Sequence, residues 1–186
     1  IFEFFATATQ TSLTTLKDNS SLLIKSKLPR ELFILSRVLT AFVNFLLGCI
    51  PFAAVLAWYR AAVTIYYFMI PVVLLLLLIF TTGMSYLVSI WFVFQRDARN
   101  IYSNFIFILR FFVAMFYSVD WVADGVKWVI QHNPLYAYIY VMRQCVVYGR
   151  MPEGMYITQM FAWAIGMFGF GILIFKKYEN EVVERL

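Results

Sequence analysis

Charge is scarce in this sequence. Of the 186 residues, 13% are charged, 63% are hydrophobic and 20% are aromatic. An average soluble domain carries about 25% charged residues, so this composition leaves too little charge to cover the apolar surface of a water-soluble protein. Several apolar runs reach or exceed about 20 residues, the length that crosses a bilayer core. The sequence therefore predicts an integral membrane protein.

Residues for metal binding and catalysis are also few. Two cysteines, Cys49 and Cys145, and a single histidine, His132, do not supply a structural zinc site. The sequence has no HExxH motif, no phosphate-binding glycine loop and no paired carboxylates inside an apolar segment. It therefore indicates no nucleotide site of its own. One enzymatic hypothesis stays open, in which Ser85 and His132 pair as the dyad of an intramembrane serine hydrolase.

The sequence begins without methionine, and it has no signal-peptide pattern. Residues 1–16 already read as part of a membrane helix that ends in the polar stretch 17–31. We therefore expect the chain to be the ordered remainder of a longer protein. We treat residues 1–186 as one transmembrane domain.

Apolar segments alternate with short polar ones. After the first segment, apolar residues fill Leu32–Trp58, Ile65–Phe94, Ile101–Tyr117 and Tyr156–Phe175. The stretch 118–135 has too few apolar residues to span and suits a re-entrant or interfacial segment. In it, Trp121 and Trp128 are seven residues apart, which would place them on one helical face. The predicted fold is an all-α polytopic helical bundle with a short re-entrant hairpin.

Positive charge is uneven between the two sides of the membrane. The side on which the first segment exits receives Lys17, Lys25, Lys27, Arg30, Arg37, Arg96, Arg99, Lys176, Lys177 and Arg185. The other side receives Arg60, Lys127, Arg143 and Arg150, and Arg110 stays within a span. The richer side is cytoplasmic under the positive-inside rule, which puts the hairpin outside. The side chain of Arg110 would extend to the cytoplasmic interface.

A short amphipathic segment lies on the predicted cytoplasmic side. Asn19 or Ser20 is a candidate N-cap, Pro29 ends the segment, and its apolar residues are Leu22, Leu23, Ile24 and Leu28. Such a helix serves either as an interfacial anchor or as a docking surface for a cytoplasmic partner. The residues alone leave both open.

Several motifs in one order resemble the membrane subunit of type-2 ABC exporters. They are Asn19, Leu23-Ile24-Lys25, Pro29, Arg96-Asp97 and Asn133-Pro134. The resemblance covers the whole chain and is strongest to the branch that exports lipid-linked polysaccharides, O-antigen and teichoic acid. That family usually has six spans and a preceding amphipathic helix. Matching the motifs makes residues 1–16 the second span, so the amphipathic helix and the first span would be missing here.

The resemblance implies a homodimeric permease in the bacterial plasma membrane. It would move a lipid-linked cell-surface polysaccharide outward while a separate cytoplasmic ABC ATPase dimer hydrolyses ATP. The chain would then not be an enzyme and would hold no cofactor, since ATP and Mg would bind to the ATPase subunit. We also expect it to bind no nucleic acid. The alternatives are a type-2 exporter of drugs or simple lipids, and an intramembrane enzyme of lipid or glycan assembly.

The resemblance also implies three sets of site residues. The contact with the ATPase would consist of Asn19, Leu22, Leu23, Ile24, Lys25, Pro29, Arg96 and Asp97. The substrate path would use the aromatic stripe Tyr102, Phe105, Phe112 and Phe116, which together with Leu109 has the spacing of one helical face. The outer gate would consist of Trp121, Trp128, Asn133 and Pro134.

Two patterns keep plainer explanations beside the functional ones. An aromatic stripe in a membrane helix is most often packing or lipid contact, and Arg96-Asp97 would equally suit a plain charged turn. Small residues recur every four positions at Thr81, Ser85 and Ser89, and at Ala162 and Gly166. This spacing allows close helix approach within one chain or between two copies.

Overall fold

The computed structural model describes residues 1–25, 29–58, 64–114, 117 and 119–185, without the side chains of residues 24, 25, 120 and 183–185. The helices are α1 Phe2–Asp18, α2 Ser20–Lys25, α3 Glu31–Trp58, α4 Met69–Phe94, α5 Ala98–Leu109, α6 Asp124–Gln131, α7 Pro134–Arg143 and α8 Gly154–Arg185. The described chain also has short turns of 3-10 helix at Ile65–Phe68 and Val119–Trp121 and one of π-helix at Gln144–Tyr148. The described part of the chain contains no strand, so the all-α prediction is confirmed.

Three helical segments are long and apolar enough to cross a membrane. They are Glu31–Trp58 with 28 residues, Ile65–Phe94 with 30 and Gly154–Val182 with 29. All three coincide with predicted spans, and the prediction of a multi-pass membrane protein is confirmed. The helix α1, with 17 residues, rises about 25 Å.

Aromatic residues of α1 join it to α3 and α4. Phe4 lies against Phe42 of α3, with ring centroids 5.4 Å apart. Phe5 stacks on Phe80 of α4 at 5.7 Å. Both α1 rings are buried, so this face of α1 forms part of the core of the bundle.

The helices α4 and α8 cross with their backbones in contact. A methyl group built on Gly83 would lie 2.7 Å from the Phe168 Cα, and one built on Gly171 would lie 2.9 Å from the Gly83 Cα. The small residues Thr81, Ser85 and Ser89 of α4 are fully buried within the chain. Their spacing therefore serves packing inside one subunit. Ala162 and Gly166 of α8 instead lie on the surface.

The prediction of one helix over Ile101–Tyr117 is wrong, because α5 ends at Leu109 after 12 residues. Ala114 has a positive φ of 48°. Side chains bind three backbone carbonyls of the irregular segment 110–114 that follows α5. Tyr117 donates to Phe111 O at 2.7 Å, Asn133 Nδ2 to Phe112 O at 3.3 Å and Arg143 to Ala114 O at 3.3 Å. Irregular backbone is tolerated at membrane depth only with such partners.

The predicted outer segment 118–135 contains the turn Val119–Trp121, the short helix α6 and the first two residues of α7. Asn133 caps α7, since its Oδ1 accepts from the Leu135 N–H at 3.0 Å and Pro134 is the first helical residue. Trp121 lies in the turn before α6, whereas Trp128 lies within α6. The expected single helical face for the two tryptophans is therefore wrong, because α6 begins only at Asp124. Re-entry of this hairpin into the membrane stays a prediction.

Arg110 forms an ion pair with Glu3, contrary to the expectation that it extends to the cytoplasmic interface. Arg110 Nη2 lies 2.6 Å from Glu3 Oε1, and its guanidinium lies 5.5 Å from the centre of the Phe2 ring. Glu3 is roughly 22 Å of helix away from Asp18 at the other end of α1. The side chain of Arg110 is 40% exposed and that of Glu3 is 67% exposed. Contact of this charge pair with acyl chains would be costly, so this face of α1 and α5 suits a polar neighbour.

The crossing at Gly83 yields a first prediction. Gly83→Ala should lower the stability of the detergent-solubilised protein by about 1–3 kcal/mol, because a new methyl group would collide with the backbone of α8. Gly169→Ala is the matched control, since a methyl group there meets nothing within 4 Å and alanine favours a helix over glycine. Thermal unfolding followed by tryptophan fluorescence measures both. Equal stability of the two variants would contradict the backbone contact.

Candidate coupling surface and polar groove

One end of the bundle collects the segments that were predicted to be cytoplasmic. Arg30 Nη1 donates to Glu179 O of α8 at 2.8 Å. The ring of Phe94, just before the charged turn, packs against the ring of Tyr178, and the two ring centroids are 5.7 Å apart. We call this region the polar end, defined by residues 17–25, 29–31, 95–100 and 176–182. Residues 26–28, including the predicted Leu28, lie outside the described residues.

Asn19 joins α1 to α2. Its Nδ2 donates to Thr15 O at 2.8 Å, and its own carbonyl accepts from Leu22 N at 3.0 Å and Leu23 N at 2.9 Å. The side chain therefore closes the last turn of α1, and the backbone carbonyl begins α2. Asn19 thus occupies the predicted N-cap position, directly before α2, and its backbone carbonyl accepts the first bonds of that helix. Ser20 is the first residue of α2.

The two leucines of α2 face opposite ways. Leu22 is 55% exposed, whereas Leu23 is 5% exposed and belongs to the hydrophobic core. Apolar contact with a partner through Leu23 is therefore a wrong expectation, and Leu22 remains accessible. The backbone of Ile24 and Lys25 is helical, but their side chains lie outside the described residues. Pro29 is exposed.

The charged turn between α4 and α5 lies on the surface of the polar end. Arg96 and Asp97 are both exposed. The Asp97 carbonyl accepts from Asn100 N at 3.1 Å and Ile101 N at 3.2 Å, and its side chain makes no capping hydrogen bond. The backbone of Asp97 therefore starts α5, and the exposed carboxylate is available to a partner.

The C-terminal part of α8 is a component of the polar end that the sequence reading missed. Its last turns contain Lys176 and Lys177, which the distribution of positive charge assigned to the cytoplasmic side. Phe175 and Val182 are each 1% exposed, and Tyr178 packs against the core between them. Their spacing of three and four residues is the pattern of a continuing amphipathic helix, so a signal was present in the sequence.

A polar groove runs between α1 and α5, and the sequence reading missed it too. Its volume is about 320 Å³, and it is lined by Thr7, Gln10, Thr11, Leu13 and Thr14 of α1 with Arg99 and Ser103 of α5. Thr11 Oγ1 donates to Thr7 O at 2.8 Å, so its lone pairs can still accept. The recurrence of polar residues on one face of α1, at 3, 7, 10, 11 and 14, was the available signal.

The aromatic stripe does not form the continuous helical face that its spacing suggested. Tyr102 is 3% exposed and lies inside the chain, whereas Phe105 and Phe112 are 48% and 39% exposed. Phe112 follows the end of α5, and Phe116 lies outside the described residues. The burial of Tyr102 corrects its expected place on a path between subunits. A contact of Phe105 and Phe112 with substrate stays a prediction.

Of the predicted outer-gate residues, Asn133 and Pro134 begin α7, and the gate role of all four stays a prediction. Trp121 and Trp128 are 87% and 63% exposed. His132 Nδ1 lies 2.8 Å from Trp128 O, and the two rings are 4.4 Å apart. Ser85, in contrast, is fully buried, and its hydroxyl has no hydrogen-bond partner among the described residues. The structure therefore does not form the dyad of Ser85 and His132 that a hydrolase would need.

Comparison with known proteins gives a consistent result. A family model described as ABC-2 type transporter matches residues 1–147. Two proteins from Klebsiella pneumoniae, each named O-antigen export system permease protein RfbA, are 25% identical to this chain over 186 residues. The match covers 100% of this chain and 71% of each relative. The match of the family model over most of the chain shows that it belongs to the ABC-2 type transporter family.

Proposed function

We propose that this chain is the transmembrane permease subunit of an ATP-driven exporter. It moves a lipid-linked cell-surface polysaccharide, of the O-antigen or teichoic acid type, outward across the plasma membrane. The observation that carries this proposal is the polar end, where α2, the charged turn and the tail of α8 come together. The names of the two similar Klebsiella proteins support the class of substrate.

The polar end suits a separate ATPase subunit. Leu22 offers an apolar side chain on a short helix, and Arg96 and Asp97 offer exposed charges of both signs. An exposed apolar anchor with a charged rim is the usual composition of a protein interface. ATP and Mg bind to that partner, which acts as a dimer on two copies of the permease.

The groove and the exposed rings of α5 suit a glycan. Sugar hydroxyls need donors and acceptors, which the threonines, Gln10 and Arg99 supply. Sugar rings also stack on aromatic faces such as that of Phe105, which is 48% exposed. An exporter of drugs or simple lipids is the second candidate, and it fits less well because such cargo favours an apolar lining.

A first test concerns Leu22. Leu22→Asp should weaken binding of the co-expressed ABC ATPase subunit by about tenfold or more, because it removes an apolar anchor. Ser21→Asp is the matched control, since it adds the same charge at the exposed neighbouring position and should bind nearly normally. Co-purification and titration of the ATPase measure both variants. Full recovery of the ATPase with Leu22→Asp would count against docking on α2.

A second test concerns the groove. The double variant Gln10→Leu, Thr11→Val should fold and hydrolyse ATP with its partner but export glycan several times more slowly, since each lost hydrogen bond is worth about 0.5–1.5 kcal/mol. Asn44→Leu, Thr40→Val makes the same chemical change on the exposed face of α3, where Thr40 Oγ1 donates to Ser36 O at 2.8 Å. The amount of glycan on the cell surface, measured for each variant, distinguishes the groove variant from the control. Equal export by both variants would exclude the groove as the path.

A further inference from the structure

The short helix α2 needs support from outside itself. It has six residues, and isolated helices of fewer than about 12–15 residues are marginal even in favourable sequences. On its N-terminal side, α2 is separated from α1 by the single residue Asn19. The position of so short a helix therefore depends on tertiary contacts.

The helix α2 contacts α8, which is distant in the sequence, as well as the neighbouring α1. Leu23 and Val182 are 5% and 1% exposed and belong to the same hydrophobic cluster. Arg30 immediately precedes α3, and its Nη1 donates to Glu179 O at 2.8 Å and to Asn180 Oδ1 at 3.2 Å. These two bonds link residues 149 and 150 positions apart in the sequence. Arg30 thus ties the start of α3, which follows α2 in the chain, to the tail of α8.

A second contact between the same segments is weaker. Lys176 Nζ lies 4.0 Å from Glu31 Oε1, and the lysine side chain is 61% exposed. An exposed ion pair at this distance contributes little to stability. The bonds of Arg30 are directional and engage one backbone carbonyl and one amide, so they fix position better than a screened charge pair does.

We propose that Arg30 and residues 176–182 of α8 position α2, so that movement of α2 is passed to α8. The helix α8 is continuous over 32 residues, Gly154–Arg185, and its backbone contacts α4 at Gly83. Displacing α2 therefore displaces the tail of α8 and, through the close crossing, the α4–α8 pair. Arg30 is a positioning residue in this account. That an ATPase moves α2 rests on the proposed function.

The position of α2 can be measured without any partner. A nitroxide spin label is attached to Leu22→Cys in the full-length protein, with Cys49 and Cys145 replaced by alanine. Arg30→Ala should shorten the rotational correlation time of the label, because α2 loses its tie to α8. Asn180→Asp should lengthen this correlation time or leave it unchanged, since the hydrogen bond of Arg30 to a neutral amide becomes an ion pair. Arg37→Ala, which removes an exposed arginine from α3, is the matched control and should change nothing.

A label at Thr40→Cys on α3 reports general loosening of the bundle. Equal mobility at Leu22 in Arg30→Ala and Arg37→Ala would overturn the inference. So would equal loosening at Leu22 and Thr40, because the bond would then stabilise the whole bundle and would not position α2.

Coupling is read in the complex with the ATPase. Arg30→Ala should reduce the glycan exported per ATP hydrolysed while the ATPase stays bound, and Arg30→Lys should restore part of it. Looser α2 with unchanged export and ATPase binding would uphold the positioning role of Arg30 and contradict docking on α2. The two ideas therefore fail separately.

Discussion

A bilayer core offers no water to a free N–H or C=O group, so every backbone polar group at that depth needs a partner within the protein. The architecture of this chain follows from that constraint. Its apolar segments form helices, and the backbone carbonyls left free where α5 ends find side-chain donors. Tyr117, Asn133 and Arg143 supply them from three places in the sequence. Asn133 and Arg143 thereby tie the two ends of α7 to the segment that follows α5.

Helix association in lipid depends on close packing, because acyl chains are as apolar as leucine. The crossing of α4 and α8 at Gly83 and Gly171 achieves this by bringing the two backbones together. The same continuous α8 reaches the polar end, where it meets Arg30 and the core-facing Leu23. A tightly packed helix pair is thereby joined to the surface on which a partner would act.

The sequence predicted the long spans, the all-α class and the transporter family, because hydropathy and short motifs are local properties. It failed where a contact joins distant residues. The ion pair of Arg110 with Glu3 spans 107 positions, and no periodicity indicates it. Likewise, six residues of α2 cannot reveal which leucine faces α8 until α8 is in place. The polar face of α1 and the amphipathic tail of α8, in contrast, follow from periodicity within one helix and could be predicted from the sequence.

We expect the polar end to face the cytoplasm and the α6–α7 hairpin to face outward. A membrane-impermeant maleimide tests it most directly, applied to single cysteines in a protein whose Cys49 and Cys145 have been removed. Asn100→Cys lies at the polar end and Gly125→Cys in α6, and both positions are exposed. Labelling of Gly125→Cys in intact cells, and of Asn100→Cys only after the membrane is opened, is the expected result. Labelling of both from the same side would contradict the account.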